Sequence, residues 1–526
     1  MKKGHSKVTF KPYTMDQPSL LPPSLEELIP EDHLVRVVNR VMDVLDLEEV
    51  LNEYKGGGTS SYHPRMMLKV LVYAYTQKVN SSRQIAKGLR ENVNFMWISG
   101  NNRPDFRTIN RFRSSVMKEG VEVVFGEVLQ YLIEGGYVTL ENYFLDGTKI
   151  EANANKYKWV WAKSTAKYKA RLQEKIQELL EKIEQENEAE QEAYGDKDLE
   201  EVGGENKQGG GGGIDSEALR ERIESLNERL ADTLKNKRDA RTKAMRTLQE
   251  DCLPRQKKYE EQEQILAGRN SYAKTDQDAT FMRMKEDHML NGQLKPGYNV
   301  QIGTENQFVV GFSIHQKTND MNVLIPHLDQ VKKRLGRLPR TVIADAGYGS
   351  EENYAYLEKM GIEGIVKYPL FSKQQKRSWC KQRFRYENWE YDAGQDEYIC
   401  PNQQRLAYRG NRTRTTDHGY RISIRQYECC SCAACPLKTQ CTRSRWNRRI
   451  EVNPTLLRYQ QQAREKLVSD RGRSLRAQRG VEPESVFGRI KQDWGFRRFT
   501  LRGAEKVKIE WGLLCIAHNL AKLAVQ

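Results

Sequence analysis

Two aspartates in the sequence have surroundings suited to binding a metal ion. Asp146 follows apolar residues of a predicted strand in Phe-Leu-Asp-Gly, and Asp345 follows another in Ile-Ala-Asp-Ala-Gly. Open α/β sheets keep their sites at the carboxyl ends of strands, so the two carboxylates converge if these strands are neighbours. A divalent ion offsets the repulsion between them, and Mg²⁺ prefers oxygen ligands. The alternative for either aspartate alone is a helix N-cap or a turn residue.

A third acidic residue, Glu484, lies in a predicted C-terminal helix. It precedes Lys491 by two helical turns in the run Glu-Ser-Val-Phe-Gly-Arg-Ile-Lys. Side chains at that separation share one face of a helix. This face would therefore carry a metal-binding carboxylate together with a phosphate-binding ammonium group. Two metal ions held by such acids can activate a water and stabilise the leaving oxygen of a phosphoryl displacement.

The chain has nine cysteines, and several of them are suited to a second metal site. Cys432 and Cys435 have the two-residue spacing typical of zinc ligands, and Cys441 follows closely. Either Cys400 or Cys430 is available as a fourth ligand. Such a site would stabilise a segment with few apolar residues. The alternative is free thiols in a reducing compartment, where a disulfide network is not expected.

The charge of the chain favours an anionic partner. Lys and Arg number 86 against 71 acidic residues in 526, a formal net charge of +15. Residues 401–526 contain 26 basic and 10 acidic side chains and so carry the whole excess, whereas residues 174–205 are strongly acidic. Surfaces of this kind attract phosphate backbones, with nucleic acid as the first candidate. An ordinary solvated basic surface is the alternative.

Composition also excludes several classes of protein. No apolar run reaches the roughly 18 residues that cross a bilayer, and the polar start lacks the apolar stretch of a secretory signal. Clustered cysteines argue against a secreted disulfide scaffold, and 38% hydrophobic residues allow sizeable cores. We therefore expect no membrane partner and a cytoplasmic, nucleoid-associated location.

The elements that would position these residues begin with a helical region. Ser81 and Ser82 precede an apolar-periodic run, a typical helix start, and a short basic helix is predicted over residues 104–113. Two helices joined through a polar turn, the second rich in arginine, are typical of helix-turn-helix DNA readers. A plain helical bundle with exposed arginines is the alternative. The side chains expected to reach DNA here are Arg83, Arg107, Arg111 and Arg113.

A heptad-like pattern follows on both sides of a glycine-rich linker at residues 203–213. This pattern predicts an antiparallel helical hairpin whose arms pack on each other, with dimerisation through the hairpin as the alternative. The apolar positions are Leu172, Ile176, Leu179 and Ile183 before the linker, and Leu219, Ile223, Leu226 and Leu230 after it.

Strand patterns lie on either side of the hairpin. Strands that alternate with helices indicate parallel pairing in an α/β layer. Residues 369–455 lose the pattern, and residues 481–524 are predicted to be helical again. The predicted strands cover residues 143–146, 298–303, 308–314, 341–345 and 364–368.

Four segments resemble the DDE transposases of bacterial insertion sequences, specifically those with a helical domain before a ribonuclease-H-like core. They fall in the same order as in that family, and the resemblance spans residues 31–526. The segments are residues 143–157 (YFLDGTKIEANANKY), 275–301 (TDQDATFMRMKEDHMLNGQLKPGYNVQ), 342–349 (VIADAGYG) and 484–503 (ESVFGRIKQDWGFRRFTLRG).

The resemblance implies a catalytic triad of Asp146, Asp345 and Glu484. These acids would hold two Mg²⁺ ions, with Mn²⁺ as a substitute, and Lys491 would contact DNA. Glu482 is a rival for the third acid, disfavoured because it precedes a proline and lacks the Phe-Gly spacing of the family motif. Related transposases often place an arginine four residues before the glutamate. That position here is Gly480, beside Arg479.

The resemblance further implies metal-dependent cleavage and strand transfer at the ends of an insertion sequence. Its partners would be double-stranded DNA of the element ends and target DNA, bound by a homodimer or larger assembly. A catalytically inert DNA-binding relic and a nuclease of the same fold are the alternatives. The basic side chains expected along the DNA path near the glutamate are Arg479, Arg489, Lys491, Arg497, Arg498 and Arg502.

The expected fold class is α/β, a ribonuclease-H-like mixed sheet with an all-helical N-terminal domain and two insertions. The core is interrupted first by the helical hairpin and then by a Cys-rich basic segment. The expected boundaries are an extended arm at 1–30, a helical DNA-binding domain at 31–130, core segments at 140–160 and 272–368, the hairpin at 161–271, the Cys-rich insertion at 369–470, and C-terminal core helices at 471–526.

Overall fold

The computed structural model describes residue 15 and residues 23–52, 61–193, 214–231, 239–284 and 293–526. Most of the predicted N-terminal arm and the whole glycine-rich linker lie outside the described residues. The chain divides into two compact units, one of residues 1–131 with 513–526 and one of residues 132–512. Across the described ranges, no helix is both long and apolar enough to cross a membrane.

The first unit is helical. Its amphipathic helices bury residues spaced three and four apart, as in the first helix, where Val35, Val38 and Val41 are buried. Polar N-caps start several helices; the Asp105 side chain, for example, accepts a hydrogen bond from the Thr108 amide at 2.8 Å. The helices are α1 (Leu34–Val44), α2 (Glu48–Asn52), α3 (Pro64–Thr76), α4 (Ser82–Glu91), α5 (Val93–Ile98), α6 (Phe106–Ser114) and α7 (Met117–Glu134).

The predicted pair of DNA-reading helices corresponds to α4 and α6. Ser81 is the N-cap residue of α4, as the sequence indicates, and α6 contains the basic run. The two helices are not joined by a simple turn, because α5 lies between them. Asn92 ends α4 and caps α5, its side chain accepting from the amides of Asn94 and Phe95. The segment is therefore a three-helix arrangement.

The second unit is built on a mixed sheet. The strand order is β4-β5-β1-β7-β8, and β6 also pairs with β5. β1 pairs antiparallel with β5 and parallel with β7, and β7 pairs parallel with β8. This mixed α/β arrangement is consistent with a ribonuclease-H-like core. The strands of this sheet are β1 (Asn142–Glu151), β4 (Thr280–Arg283), β5 (Leu294–Glu305), β6 (Phe308–His315), β7 (Thr341–Ala344) and β8 (Glu363–Val366), and a separate antiparallel pair is formed by β2 (Trp159–Trp161) and β3 (Ser271–Ala273).

Helices pack on this sheet from several segments of the chain. α12 contacts β6, α13 contacts β8, and α19 contacts both β1 and β5. The remaining helices of the chain are α8 (Ala162–Ala193), α9 (Ser216–Arg229), α10 (Ala240–Thr247), α11 (Leu253–Leu266), α12 (Leu324–Leu335), α13 (Glu351–Lys359), α14 (Phe371–Gln374), α15 (Arg377–Cys380), α16 (Lys438–Cys441), α17 (Pro454–Val468), α18 (Asp470–Gln478), α19 (Glu482–Gly488) and α20 (Ala504–Leu523).

One aromatic side chain of β1 is inserted against the neighbouring strands. The Tyr143 ring lies so close to Gly303 and Gly311 that a Cβ added at these positions would be 1.7 Å and 2.4 Å from its atoms. The Tyr143 hydroxyl is 2.6 Å from Nε2 of the buried His327. Glycine is therefore required at both positions by the close approach of the ring.

The heptad-like segment forms helices, but the described chain after the linker contains three of them, α9, α10 and α11, where the sequence predicted a single arm. Buried residues of α8, α9, α10 and the π-helical turn Leu248–Cys252 share one apolar cluster. Leu180 is a buried member of that cluster and Leu179 is only partly buried against it, so the helix presents a slightly different face from the predicted one. The observed core joins α8 to α9 and also to the α10–α11 arm.

The segment predicted to lack a pattern contains a second sheet. Its five strands pair antiparallel in the order β13-β12-β11-β10-β9. Their alternation is hard to detect because charged residues occupy much of β11, and the core is small and includes Tyr398, Leu406 and Tyr427. The strands are β9 (Glu390–Asp392), β10 (Glu397–Ile399), β11 (Arg405–Thr415), β12 (Arg421–Cys429) and β13 (Arg449–Val452).

Candidate active site

The pairing of β1 with β7 brings two of the predicted acids to the same level of the sheet. The parallel register pairs Asn142 with Thr341 and Phe144 with Ile343. Continued by two residues, the same register places Asp146 beside Asp345. Neighbouring strands lie about 4.8 Å apart, so the two backbones are close at this edge.

The two aspartates differ in their local structure. Asp345 follows the end of β7, and its carboxylate accepts a hydrogen bond from the Gly347 amide at 2.8 Å. Asp146 does not end its strand as the sequence indicated, because β1 remains paired with β5 as far as Glu151. Its side chain is 11% exposed, and its Oδ1 accepts from the Gly147 amide at 2.9 Å.

Glu484 lies in the first turn of α19, the helix that packs on β1 and β5. Its side chain is 56% exposed and faces a cleft that Asp146 also lines. The rival acid is engaged elsewhere, since a Glu482 carboxylate oxygen accepts from the Gln307 amide at 2.7 Å. Glu484 and Asp146 therefore line the same cleft.

Arg479 lies between these two acids. Its guanidinium nitrogens are 3.6 Å from Asp146 Oδ2 and 3.5 Å from Glu484 Oε1, and its side chain is 15% exposed. An ion pair with this degree of burial is screened less than a surface pair. The arginine beside Gly480 thus lies at the predicted acids, even though it is one residue away from the position usual in related transposases.

Lys491 lies in the same cleft. Its ammonium group is buried and donates to the Thr148 hydroxyl on β1 at 2.7 Å. The cleft is lined by Asp146, Thr148, Glu484, Phe487, Gly488, Lys491 and Gln492. Because α19 and the π-helical turn after it keep the residue two turns on from Glu484, the predicted shared face is present.

A lysine that was not expected from the sequence lies at this edge of the sheet. β8 pairs with β7 so that Ala344 is opposite Val366, and the next residues in that register are Asp345 and Lys367. Burial lowers the pKa of the Lys367 ammonium group, the nearby arginines lower it further, and the carboxylates of Asp345 and Glu484 raise it. Only a known strand order could have revealed this residue, since nothing in its local sequence marks it.

The three acids supply the type of ligand that Mg²⁺ prefers. Asp146, Asp345 and Glu484 contribute oxygen atoms at one edge of the sheet, so the donor set is chemically suited to this ion. Within the described part of the chain, however, no group of three or more His, Cys, Asp or Glu side chains is arranged to hold a metal ion. The guanidinium of Arg479 contacts both Asp146 and Glu484.

The basic residues after Glu484 do not continue along a helix. The helical segment ends at Trp494, and Gly495 has a positive φ of 68°. Arg498 donates to the carbonyl oxygens of Ala152 and Ala154 at 3.2 Å, and Arg502 donates to that of Asn153 at 2.8 Å. These guanidinium groups hold the chain that follows β1.

The other two basic side chains predicted in this stretch also have intramolecular partners. Arg497 donates to the Lys491 carbonyl at 3.4 Å and to the Gln492 side chain at 2.5 Å. The Arg489 guanidinium stacks on the Trp494 ring, 5.8 Å from its centroid. The predicted DNA path is therefore lined in part by arginines with structural contacts.

In the first unit, three of the four predicted arginines share a groove beside α4 and α6. Arg83, Arg107 and Arg111 line it together with Phe106, whose ring is 37% exposed. The guanidinium groups of Arg83 and Arg107 lie 5.2 Å and 5.7 Å from that ring centroid. Cation–π contacts of this length orient the two arginines at the groove.

The fourth arginine is not part of this surface. Arg113 is 4% exposed and donates to the Tyr75 hydroxyl at 3.2 Å and to the Asn80 carbonyl at 2.7 Å. Its position on the inner side of α6 explains the burial, since it follows Ile109 by four residues and Phe112 by one. We therefore leave Arg113 out of the proposed DNA surface.

The predicted zinc ligands surround one small cavity. Cys400, Cys432, Cys435 and Cys441 all line it, and so does Cys429, which was not among the expected ligands. Burial raises the pKa of the Cys441 thiol, and the other three expected cysteines act in the same direction. Cys430, the alternative fourth ligand, is exposed and does not line the cavity. The Cys432 sulfur accepts from the Arg448 amide at 3.4 Å.

Two family models match the chain. Residues 399–524 match the Transposase DDE domain, and residues 23–115 match a Transposase domain (DUF772). A search of curated proteins found no match. The first match contains Glu484, Arg479, Lys491 and the cysteine cavity, and the second contains the arginine groove. Together, the two matches indicate that the chain is an insertion-sequence DDE transposase.

Proposed function

We propose that the protein cleaves DNA at the ends of an insertion sequence and joins the freed strands to target DNA. Asp146, Asp345 and Glu484 are the catalytic acids of this proposal. The observation that supports it best is the register of β1 against β7, which places Asp146 level with Asp345, together with the cleft that Asp146 shares with Glu484.

The acids have a defined task in this reaction. They would hold Mg²⁺, or Mn²⁺ in its place, and two such ions supply a water-activating centre and stabilisation of the leaving oxygen. Lys491 lies in the same cleft and neutralises a DNA phosphate there. Arg479 forms ion pairs with both Asp146 and Glu484, so its guanidinium group offsets part of the repulsion between these acids.

Replacement of each acid by its amide tests this assignment. Asp146→Asn, Asp345→Asn and Glu484→Gln should each lower cleavage of element-end DNA by at least about a thousandfold, because removal of one metal ligand disrupts the whole site. Affinity for the same DNA should change little. Glu482→Gln is the matched control and should retain cleavage, since Glu482 bonds the Gln307 amide.

Two results would support the other functions instead. Wild-type protein that binds element ends but never cuts them, with either Mg²⁺ or Mn²⁺, would indicate an inert DNA-binding relic. Cleavage without joining of the 3′ ends to a target plasmid would indicate a nuclease of the same fold.

The arginine groove of the first unit is proposed to recognise the element ends. Arg83, Arg107 and Arg111 present three guanidinium groups along α4 and α6, and guanidinium groups bind both phosphates and guanine edges. In the second unit, Arg479 contacts two of the acids, Lys491 lines their cleft, and Arg489 lies two residues before Lys491 in the chain. They are proposed to bind the DNA backbone without reading its sequence.

The cysteine cavity is proposed to hold one structural zinc ion through Cys400, Cys432, Cys435 and Cys441. The proposal depends on their arrangement around one cavity in a sheet with a small apolar core.

Metal analysis decides the zinc proposal. Protein purified without chelators should contain about one zinc per chain, and Cys432→Ser together with Cys435→Ser should remove it. Cys380→Ser is the control, because this exposed cysteine is not among the residues that line the cavity. Absence of zinc from the wild-type protein would leave the thiols free.

The assembly that performs the reaction is proposed to be a homodimer or larger when DNA is bound. Mass measurement in solution, with and without a DNA duplex of one element end, should show an increase to at least two chains per complex. A complex with a single chain would contradict this.

A further inference from the structure

A fourth carboxylate lies close to the predicted catalytic acids. Asp320 begins a short 3₁₀ turn (Asp320–Asn322) between β6 and α12. This turn contacts the turn Ala346–Tyr348, which directly follows Asp345. Neither the residue types around Asp320 nor their spacing singles it out in the sequence.

Asp320 accepts hydrogen bonds from two buried amides of β5. Its Oδ1 is 2.8 Å from Asn299 Nδ2 and 3.1 Å from Gln301 Nε2. Both amide side chains are almost fully buried, at 1% and 0% exposure. Buried amides without an acceptor are destabilising, so the carboxylate fixes the orientation of both side chains.

The network continues from Gln301 to the turn that carries Asp345. The side-chain oxygen Oε1 of Gln301 accepts a hydrogen bond from the hydroxyl of Tyr348, which is buried at 1% exposure. Asn353 links the two turns a second time, since its Nδ2 donates to the carbonyls of Met321 and Tyr348 at 2.9 Å and 2.8 Å. The turn after Asp345 is thus bound to β5 and to the Asp320 turn.

Two close approaches show how near the network lies to the catalytic aspartates. A Cβ at Gly147, the residue after Asp146, would lie 2.1 Å from Gln301 Nε2. A Cβ at Gly347 would lie 2.9 Å from Asp345 Oδ1 and 3.6 Å from Asp320 Oδ2. The network therefore touches the backbone that follows each of the two aspartates.

We propose that Asp320 is a positioning residue of the active site. As an acceptor for Gln301 it fixes the amide that holds Tyr348, and so it fixes the turn from which Asp345 projects. The consequence for catalysis rests on the proposed function, whereas the effect on the turn does not. Catalytic groups displaced by about 1 Å can lower a rate about a hundredfold, so this constraint matters to the reaction.

The acceptor role makes a specific prediction for substitutions. Asp320→Asn keeps an oxygen that can accept from Asn299 and Gln301 but removes the negative charge. Asp320→Ala removes this acceptor, so that Asn299 Nδ2 loses it and Gln301 Nε2 keeps only its bond to Asn299 Oδ1 at 2.9 Å. A positioning role therefore predicts that the asparagine variant resembles the wild-type protein and the alanine variant does not.

Hydrogen exchange of the DNA-free protein is the first test, because it does not depend on activity. Asp320→Ala should raise amide exchange in residues 346–349 by about tenfold or more, since the turn loses its link to β5. Asp320→Asn should stay within about threefold of wild type. Asp329→Ala is the control: Asp329 accepts from the Tyr356 hydroxyl on the exposed side of α12, away from this network.

Single-turnover cleavage of element-end DNA is the second test. Asp320→Ala should be slower by about ten- to a hundredfold with unchanged DNA affinity, and Asp320→Asn should recover most of the rate. Gln301→Ala should have the same effect, and the double variant with Asp320→Ala should be no slower than the worse single variant, because both act through one contact.

Several results would overturn the proposal. Unchanged exchange in Asp320→Ala would show that the carboxylate does not hold the turn. An asparagine variant as impaired as the alanine variant would show that the charge, and not the acceptor, is required. If wild-type protein cuts no element-end DNA, the proposed function fails, and the exchange measurement still decides whether Asp320 positions the turn.

Discussion

Arginines in the two units have different surroundings although their sequence contexts look alike. Near α4 and α6, Arg107 and Arg111 are exposed and line a groove. After Glu484, Arg498 and Arg502 donate to carbonyl oxygens of the chain that follows β1. A high local density of positive charge therefore does not distinguish a binding surface from a set of structural contacts.

The difference arises from which backbone groups need partners. In α6 of the first unit, Arg113 donates to the Tyr75 hydroxyl and the Asn80 carbonyl, whereas Arg107 and Arg111 are exposed and line the groove. In the second unit, the irregular segments 152–154 and 495–503 cross next to each other and leave carbonyl oxygens without strand partners. Arginine has five donors and a long side chain, and it can satisfy several such groups at once.

The largest expected effect is a difference in unfolding free energy between variants of two arginines in α6. Arg113→Ala should lower the unfolding free energy by about 3 kcal/mol, because the buried Tyr75 hydroxyl and Asn80 carbonyl lose their partner. Arg111→Ala, two residues earlier and exposed, should leave it within about 0.5 kcal/mol. Urea denaturation of both variants measures the difference. Equal destabilisation would mean that the groove arginine is also structural.

The next effect concerns DNA binding by the groove. Arg107→Ala combined with Arg111→Ala should weaken binding to element ends by about ten- to a hundredfold, reduce the preference for ends over random sequence, and leave thermal stability unchanged. Titration of fluorescent duplexes at several salt concentrations measures all three. If both DNAs lost affinity equally, the groove would be a general phosphate-binding surface on a plain helical bundle.

A smaller effect is expected for the arginines that hold the chain after β1. Arg498→Ala should lower the unfolding free energy by about 1 kcal/mol, since its hydrogen bonds to Ala152 and Ala154 are partly exposed to water. Arg498→Lys should not restore it, because one ammonium group cannot reproduce the spread of two donor nitrogens. A variant with full stability and weakened DNA binding would place Arg498 on the DNA path instead.

Much of the sheet could be predicted from the sequence because its strands are short, apolar and separated by clear turns. The β5–β6 hairpin and the strands before and after α13 lie where the alternation indicates. The end of β1 could not be predicted, since the residues after Asp146 stay paired with β5 and the Thr148 hydroxyl contacts Lys491 of the π-helical turn after α19 instead of solvent. Tertiary contacts overrode the local pattern there.

The acids of the candidate site could be predicted, whereas their supporting residues could not. Asp146, Asp345 and Glu484 stand in recognisable motifs, and the first two follow the last β1–β7 pair, Phe144 with Ile343, by two residues each. Lys367 and Asp320 come close to them only through strand order and turn contacts. A spacing rule along one chain segment carries no information about such long-range neighbours.

The ring of Tyr143 has a mechanical consequence for the strand that carries Asp146. It fills a slot made by Gly303 on β5 and Gly311 on β6, and its hydroxyl meets His327. If β1 slid along β5 by two residues, the ring would leave this slot and collide with side chains larger than glycine. The fit of the ring in this slot therefore fixes the register of β1 against β5. It also sets the position of Asp146 along the sheet.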